Sequence, residues 1–123
     1  MELYGKEYGF RLTVGAAAEI AELCPGKDIA QIGELIRNMA GLLNPDKIKI
    51  IVALSRGYES ARKFEDPAYT KKELTAELLE SLDLVTYGKC YGEAMNALVD
   101  GLKITVQTEP AKKNEDAADK ASP

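Results

Sequence analysis

The chain has 123 residues, a net charge of −4, and neither histidine nor tryptophan. This length corresponds to one domain that is large enough to bury a hydrophobic core of its own. Binding to nucleic acid is not expected, because phosphate recognition depends on clustered lysine and arginine, and the 16 basic residues here are outnumbered by 20 acidic ones.

The cysteine content and the apolar runs indicate the cytosol. Cys24 and Cys90 are too few for a disulfide framework, and we expect them to be reduced and buried; a single disulfide between them is the alternative. The longest uninterrupted apolar run, residues 50–54, is far shorter than the roughly 20 residues of a membrane-spanning helix. No signal-peptide pattern is recognised at the start of the sequence, and no membrane partner is expected.

The first residues predict a β-hairpin. Tyr8, Phe10 and Leu12 alternate with polar or small residues, a period of two that is typical of a strand with one buried face. Gly5 suits the turn before this strand. Because a hairpin of two strands is only marginally stable alone, we expect it to pack on helices.

Two helices are predicted in the next 30 or so residues. Thr13 is placed to cap a helix over residues 14–23, which Pro25-Gly26 ends. Asp28 is placed to cap a second, amphipathic helix over residues 29–42. The buried stripe of the first helix is expected to contain Val14, Ala17, Ala18, Ala21 and Cys24.

The segment 44–66 allows either a strand or a helix. Its many β-branched residues favour a strand, whereas Asn44 followed by Pro45 is a typical helix start. Apolar residues also continue through the segment at helical spacing, so we predict a helix. Since this helix is apolar on two faces, with Leu54 and Phe64 on one of them, it should be the central element of the fold.

The next part of the chain predicts two more helices. Thr70 and Glu73 have the spacing of a capping box and predict a short helix over residues 71–80. A last helix is predicted over residues 84–99, with Gly101 as its stop.

The expected fold class is α+β and mostly α, with an N-terminal β-hairpin packed on a bundle of about five helices. Residues 102–107 alternate apolar and polar side chains, which leaves a third strand beside the hairpin or a frayed extension of the last helix as alternatives. Residues 108–123 contain no large apolar residue and are predicted to be a disordered polar tail. The single globular domain would then occupy residues 1–107.

The residue types that catalysis and metal binding require are sparse, so no catalytic, cofactor or metal site is predicted. Without histidine, a nucleophilic cysteine lacks its usual activating base. The carboxylates do not have the spacing of a calcium loop, and most glutamates fall on polar helix faces. The six tyrosines suit either the edge of the core or a surface for a protein partner.

The order of these elements resembles that of a known family. The aromatic hairpin is followed by a Thr-Val-Gly-Ala-Ala-Ala-Glu-Ile segment, a Cys-Pro-Gly break and an Ile-Gly-Glu-Leu-Ile helix. In this order, residues 3–101 resemble the tail assembly chaperones of long-tailed bacteriophages and prophages and the related proteins of gene transfer agents. The resemblance is strongest over residues 3–36, at Gly5, Phe10, Arg11, Leu12, Gly15, Ala16 and Glu19.

The resemblance implies a non-catalytic role in the bacterial cytoplasm. Such proteins coat the tape measure protein, keep its long apolar helices in solution and help to recruit tail tube subunits, and they are absent from the mature virion. The implied partners are therefore the tape measure protein and the tail tube protein, and copies of the chaperone that associate as a homo-oligomer would suit a long partner. Many members also have a longer, frameshifted form. The alternative is a generic helical adaptor or regulatory subunit of a bacterial cytosolic complex.

We expect that removal of residues 108–123 leaves the fold intact, because a polar segment without large apolar side chains adds little to the core. The midpoint of thermal unfolding should change by no more than about 2 °C. Circular-dichroism melts of the full-length and shortened chains measure this difference. A decrease of many degrees would show that the segment packs on the domain.

Overall fold

The computed structural model describes residues 1–39, 41 and 43–114, with side chains up to Lys103. The described part is mostly helical, with a two-stranded antiparallel sheet at the N-terminus, which confirms the predicted α+β class. The elements are β1 (Glu2–Leu3), β2 (Lys6–Glu7), α1 (Val14–Ala21), α2 (Ile32–Asn38), α3 (Pro45–Glu65), α4 (Ala76–Glu80) and α5 (Leu84–Asn114).

Helix α3 is the central element, and the prediction of a helix rather than a strand in this segment is confirmed. The side chain of Asn44 accepts a hydrogen bond of 2.9 Å from the Asp46 amide, and Pro45 is the first helical residue. Helix α3 packs against both α1 and α5. The largest fully buried apolar side chains around this axis are Ile20, Ile50, Ile51, Leu54, Leu79, Cys90 and Leu98.

The N-terminal hairpin is shorter than predicted. Tyr4 and Gly5 form its turn with φ of 51° and 79°, the two positive values that a tight type I′ turn requires. Residues 8–12, predicted as a strand, lie outside β1 and β2. Their backbone runs along α3 instead, where the Arg11 amide donates a hydrogen bond of 3.0 Å to the Leu54 carbonyl.

Helix α1 begins where it was predicted, but it buries a different face. The Thr13 hydroxyl accepts a hydrogen bond of 3.2 Å from the Ala16 amide, which caps the helix. Ala16 and Ile20 are buried, whereas Val14 is 89% exposed. A Cβ atom at Gly57 of α3 would lie only 3.2 Å from the Cβ of Ala16, so the close approach of the two helices at this glycine turns Ala16 inward.

Helix α2 is shorter than the predicted span of 29–42. Asp28 does act as a cap, accepting a hydrogen bond of 3.0 Å from the Ala30 amide, but the turn that it caps is a 3-10 turn over Ile29–Gln31. The α-helix ends at Asn38. Gly41 has a φ of 87°, a conformation that an α-helix cannot continue.

The capping box predicted at Thr70 and Glu73 is wrong, and α4 begins later than predicted. The N-cap of α4 is Thr75, whose hydroxyl accepts a hydrogen bond of 3.1 Å from the Leu78 amide. Residues 66–75 form no helix or strand, and we call this segment the strap.

The strap lies on α3 because a buried carboxylate holds it there. Oε1 of Glu59 accepts hydrogen bonds from the Tyr69 hydroxyl at 2.8 Å and from the Lys72 amide at 2.7 Å. The Lys72 amide donates to Glu59 and therefore does not join a helical turn after Thr70. That turn is the one that a capping box would have started.

Helix α5 continues beyond its predicted end, so the third strand considered for residues 102–107 is wrong. In a helix, each backbone amide bonds within its own segment. A third strand would instead have to pair with an edge of the sheet, and β1 and β2 have only two residues each. Gly101 is not a stop: a Cβ atom there would lie 2.6 Å from the Cβ of Leu12, so this glycine allows close packing. The helix includes residues 108–114 of the predicted tail, and the rest of that tail lies outside the described residues.

None of the helices described is both long enough and apolar enough to cross a membrane. The extension of α5 does not change this result, because the helix carries charged residues along its length.

Leu54→Asp is expected to unfold the domain. The Leu54 side chain is fully buried, and an unpaired carboxylate in an apolar core costs several kcal/mol, comparable with the whole stability of a small domain. Circular dichroism and urea denaturation measure the loss. Lys49→Asp, an exposed change on the same helix, is the control and should remain folded; a folded Leu54→Asp chain would contradict the central position of α3.

Candidate docking surface

An apolar groove lies at the corner where the segment before α3 meets α4 and the start of α5. We call it the corner groove. Its cavity has a volume of about 310 Å³. The lining residues are Leu43, Pro45, Ile48, Leu79, Glu80, Leu82, Leu84 and Tyr87.

Large apolar side chains at this groove are exposed to solvent. Leu43 is 70% exposed and Leu84 is 62% exposed, and Val85, the residue after Leu84, is 70% exposed. Asp83 places Leu84 and Val85 in the first turn of α5, because its carboxylate accepts hydrogen bonds from the Thr86 amide at 2.8 Å and the Thr86 hydroxyl at 2.9 Å. Exposed apolar residues grouped at a concave site are typical of a binding surface.

The charge at the edge of the corner groove is negative. Glu80 lines the groove, and Asp83 lies directly before Leu84. The hydrogen bonds from Thr86 lower the pKa of Asp83, so this carboxylate is ionised at neutral pH. An apolar floor beside acidic side chains suits a partner segment that combines apolar and basic residues.

Tyr87 forms an inner wall of the groove and is only 4% exposed. Among the residues described, none forms a hydrogen bond with its hydroxyl. Burial, with smaller contributions from Tyr91 and Cys90, raises the pKa of Tyr87, so the hydroxyl stays neutral. A buried hydroxyl without a partner is a cost to stability.

A group of polar residues that sequence analysis did not identify lies where the strap meets α3. Glu59 is 2% exposed, and its Oε2 lies 3.8 Å from the Nζ of Lys72. The Lys72 ammonium donates a hydrogen bond of 2.6 Å to the Tyr69 hydroxyl, and this bond raises the pKa of Lys72. The signal in the sequence was the position of Glu59, seven residues and therefore about two helical turns after Val52 on an apolar face of α3.

The Glu59 group is best assigned to holding the strap. A carboxylate beside a lysine in a cleft is also a pattern found at catalytic sites, and an adjacent cavity of about 330 Å³ includes Glu59 and Lys72 in its lining. Both hydrogen bonds to Oε1 come from the strap, however, and the Arg62 guanidinium covers the ring of Tyr69 at 4.6 Å. These contacts engage Oε1 of Glu59 with the chain itself. Oε2 of Glu59 is buried beside the Lys72 ammonium and, among the residues described, accepts no hydrogen bond.

Both cysteines are free and buried, as predicted. Burial raises the pKa of Cys90 to about 11, so its thiol is protonated at neutral pH and is a poor nucleophile. Burial also raises the pKa of Cys24. Over the described residues, no cluster of three or more histidine, cysteine or acidic side chains could hold a metal ion.

The tyrosines fall into three environments. Tyr8 and Tyr87 are buried, while Tyr58, Tyr69 and Tyr91 are half-buried. Tyr4 is 68% exposed, and its hydroxyl lies 2.8 Å from the Ser81 hydroxyl. Only Tyr87 lines the corner groove, so most tyrosines occupy the core and its edge.

Comparison with models of known protein families, with curated proteins and with solved structures gives no match to this chain.

Tyr87→Phe is expected to stabilise the folded chain by about 1 kcal/mol, because it removes a buried hydroxyl that lacks a hydrogen bond while keeping the ring. Urea denaturation of the two proteins measures the difference in the free energy of unfolding. Tyr4→Phe is the matched control and should give no gain, since the Tyr4 hydroxyl has a partner. A clear loss of stability in Tyr87→Phe would mean that its hydroxyl is satisfied.

Proposed function

We propose that this protein is a tail assembly chaperone of a bacteriophage or prophage. It catalyses no reaction; it binds apolar helical segments of the tape measure protein in the host cytoplasm and helps to recruit tail tube subunits. The resemblance over residues 3–101 supports the family. The observation that carries the mode of action is the exposure of Leu43 and Leu84, two large apolar residues that line the corner groove, next to the exposed Val85.

The size of the corner groove favours weak and repeated binding. A cavity of about 310 Å³ accommodates one or two large apolar side chains, since roughly 150 Å³ is sufficient for benzene. Each such side chain contributes about 1.5–3 kcal/mol on burial, and association itself costs at least about 4 kcal/mol. One groove therefore binds weakly, and many copies along a long partner bind through avidity. Weak individual contacts also suit a chaperone that leaves the assembly.

The charge of the chain supports the same role. A net charge of −4 keeps complexes with an apolar partner apart by mutual repulsion. The acidic residues beside the corner groove, Glu80 and Asp83, would attract basic residues that flank an apolar segment.

A generic helical adaptor or regulatory subunit is the second candidate. The observation that favours it is the small extent of the corner groove, which suits one short helical motif. The two functions differ in stoichiometry: an adaptor binds one copy for each motif, whereas a chaperone that coats a long partner binds in many copies.

Co-expression tests the chaperone function. The co-expressed partner is the product of the gene that follows in the same genome, which the resemblance implies would encode a very long, helix-rich protein. We expect the wild-type chain to keep this protein soluble and to co-purify with it in several copies. Leu84→Asp, an exposed change that leaves the core intact, should reduce the co-purified amount at least about tenfold, because it replaces apolar contact with a charge. Val99→Asp, on the same helix outside the groove, is the control and should bind normally.

Each outcome has a distinct meaning. If the long protein remains insoluble with the wild-type chain, or does not co-purify with it, the chaperone function is contradicted. If binding is normal in both variants, the corner groove is not the docking surface. A complex with one copy of each chain would support the adaptor.

A further inference from the structure

The second half of the strap has the pattern of a β-strand, although it belongs to no sheet. Lys71 and Glu73 are exposed, whereas Lys72 is half-buried and Leu74 is only 3% exposed. This alternation is the period of an extended chain with one face against the protein. The next residue, Thr75, is also extended, with φ of −100° and ψ of 159°. We call residues 71–74 the strap edge.

Most of the backbone of the strap edge lacks a hydrogen-bond partner. The Lys72 amide donates to Oε1 of Glu59, but the backbone groups of Lys71, Glu73 and Leu74 bond to no residue in the described part of the chain. In an extended chain, the N–H and C=O groups of successive residues point to opposite edges. Since the Lys72 amide points at α3, those of Lys71 and Glu73 are directed to the other edge. A free edge of this kind is a template for another strand.

There is space for a second chain along the strap edge. A cavity of about 330 Å³ is lined by all four of its residues and by Val52 of α3. An adjoining cavity of about 490 Å³ shares Glu73, Leu74 and Val52 with the first. Paired strands lie only about 4.8 Å apart. Alternate side chains of a paired strand would therefore face α3, where Val52 offers an apolar contact.

The outward side chains of the strap edge define the charges of a partner that fits it. Lys71 and Glu73 form no ion pair with any other residue that the structure describes. Residues directly opposite each other on one face of a strand pair interact, and opposite charges stabilise the pair whereas like charges destabilise it. A strand with an acidic residue opposite Lys71 and a basic residue opposite Glu73 is therefore favoured over strands that carry two like charges.

We propose that the strap edge binds an extended segment of a partner protein, which adds to it as a β-strand. The segment carries an acidic residue opposite Lys71, a basic residue opposite Glu73 and, between them, an apolar residue that faces Val52. This inference goes beyond the proposed function, because the segment is extended rather than helical and the surface is a different one. It holds for an adaptor as well as for a chaperone.

Three synthetic peptides test the charges by fluorescence anisotropy at physiological salt. The first is acetyl-Thr-Lys-Val-Glu-Val-Thr-amide, and the other two carry lysine twice or glutamate twice at its charged positions. The wild-type chain should bind the first peptide about fivefold more tightly than the other two, since only this peptide forms two attractive pairs. The net charge of −4 alone would instead favour the peptide with two lysines.

Lys71→Glu should change this preference. The strap edge would then present two carboxylates, so the peptide with two lysines should bind about fivefold more tightly than the first peptide. Lys89→Glu, an equal change of charge at an exposed position on α5, is the matched control and should keep the wild-type preference. Circular dichroism should show both variants folded, because both lysines are exposed.

Methylation of the peptide backbone tests strand addition itself. Every second amide of an added strand donates to the strap edge. Methylation of the nitrogen atoms in one alternating set of residues should therefore abolish binding, whereas methylation in the other set should be tolerated. A peptide held by its side chains alone, or bound as a helix, would not show this alternation.

Several results would overturn the proposal. They are a wild-type chain that does not bind the first peptide at millimolar concentration, a Lys71→Glu chain with the wild-type preference, and equal effects of methylation in the two sets. Oligomers of the wild-type chain that dissociate when the first peptide is added, measured by sedimentation velocity, would identify a second copy as the occupant instead of a partner protein.

Discussion

Burial of α3 from two sides is the constraint on which the other contacts depend. Ile50, Ile51 and Leu54 are fully buried on this one helix, which packs against α1 and α5. Burial of each such side chain contributes about 1.5–3 kcal/mol, so a large share of the stabilisation converges on a few helical turns. The segment after the hairpin, the strap and the corner groove all lie against α3 or at its ends.

Glycines allow the other elements to approach this helix. A Cβ atom at Gly57 would lie 2.6 Å from the carbonyl oxygen of Arg11, and one at Gly9 would lie 2.5 Å from the ring of Tyr58. Distances this short are far below ordinary contact. These two positions therefore explain why the segment after the hairpin runs along α3 instead of forming a longer strand.

Local signals in the sequence predicted the starts of α1, α3 and α5. The caps Thr13, Asp28 and Asn44 act as expected, because a side chain that bonds the first turn is a local feature. Their ends were less predictable. Glycine is the residue type that commonly ends a helix, but Leu12, from another part of the chain, packs against Gly101. No local pattern in the sequence contains that contact.

The conformation of the strap also depends on a contact that local patterns do not contain. Thr70 and Glu73 have the spacing of a capping box, but Glu59, more than ten residues earlier, directs the Lys72 amide elsewhere. The exposure of some apolar side chains could not be predicted from helical periodicity either. Val14 and Phe64 fit a helical stripe and are nevertheless exposed, because the rotation of α1 and α3 about their axes depends on where Gly57 and Ala16 meet.

The attachment of the strap has a consequence for local opening. The Tyr69 hydroxyl and the Lys72 amide of the strap both bond to one oxygen atom, Oε1 of Glu59. Another polar attachment is the Lys63 ammonium, which bonds two strap carbonyls, whereas α3 itself is held by its own backbone bonds. Segments held by few contacts open at lower free energy than the core. Hydrogen-bonded amide protons of the strap should therefore exchange with solvent through partial unfolding, while those of residues 50–54 exchange only when the whole domain unfolds.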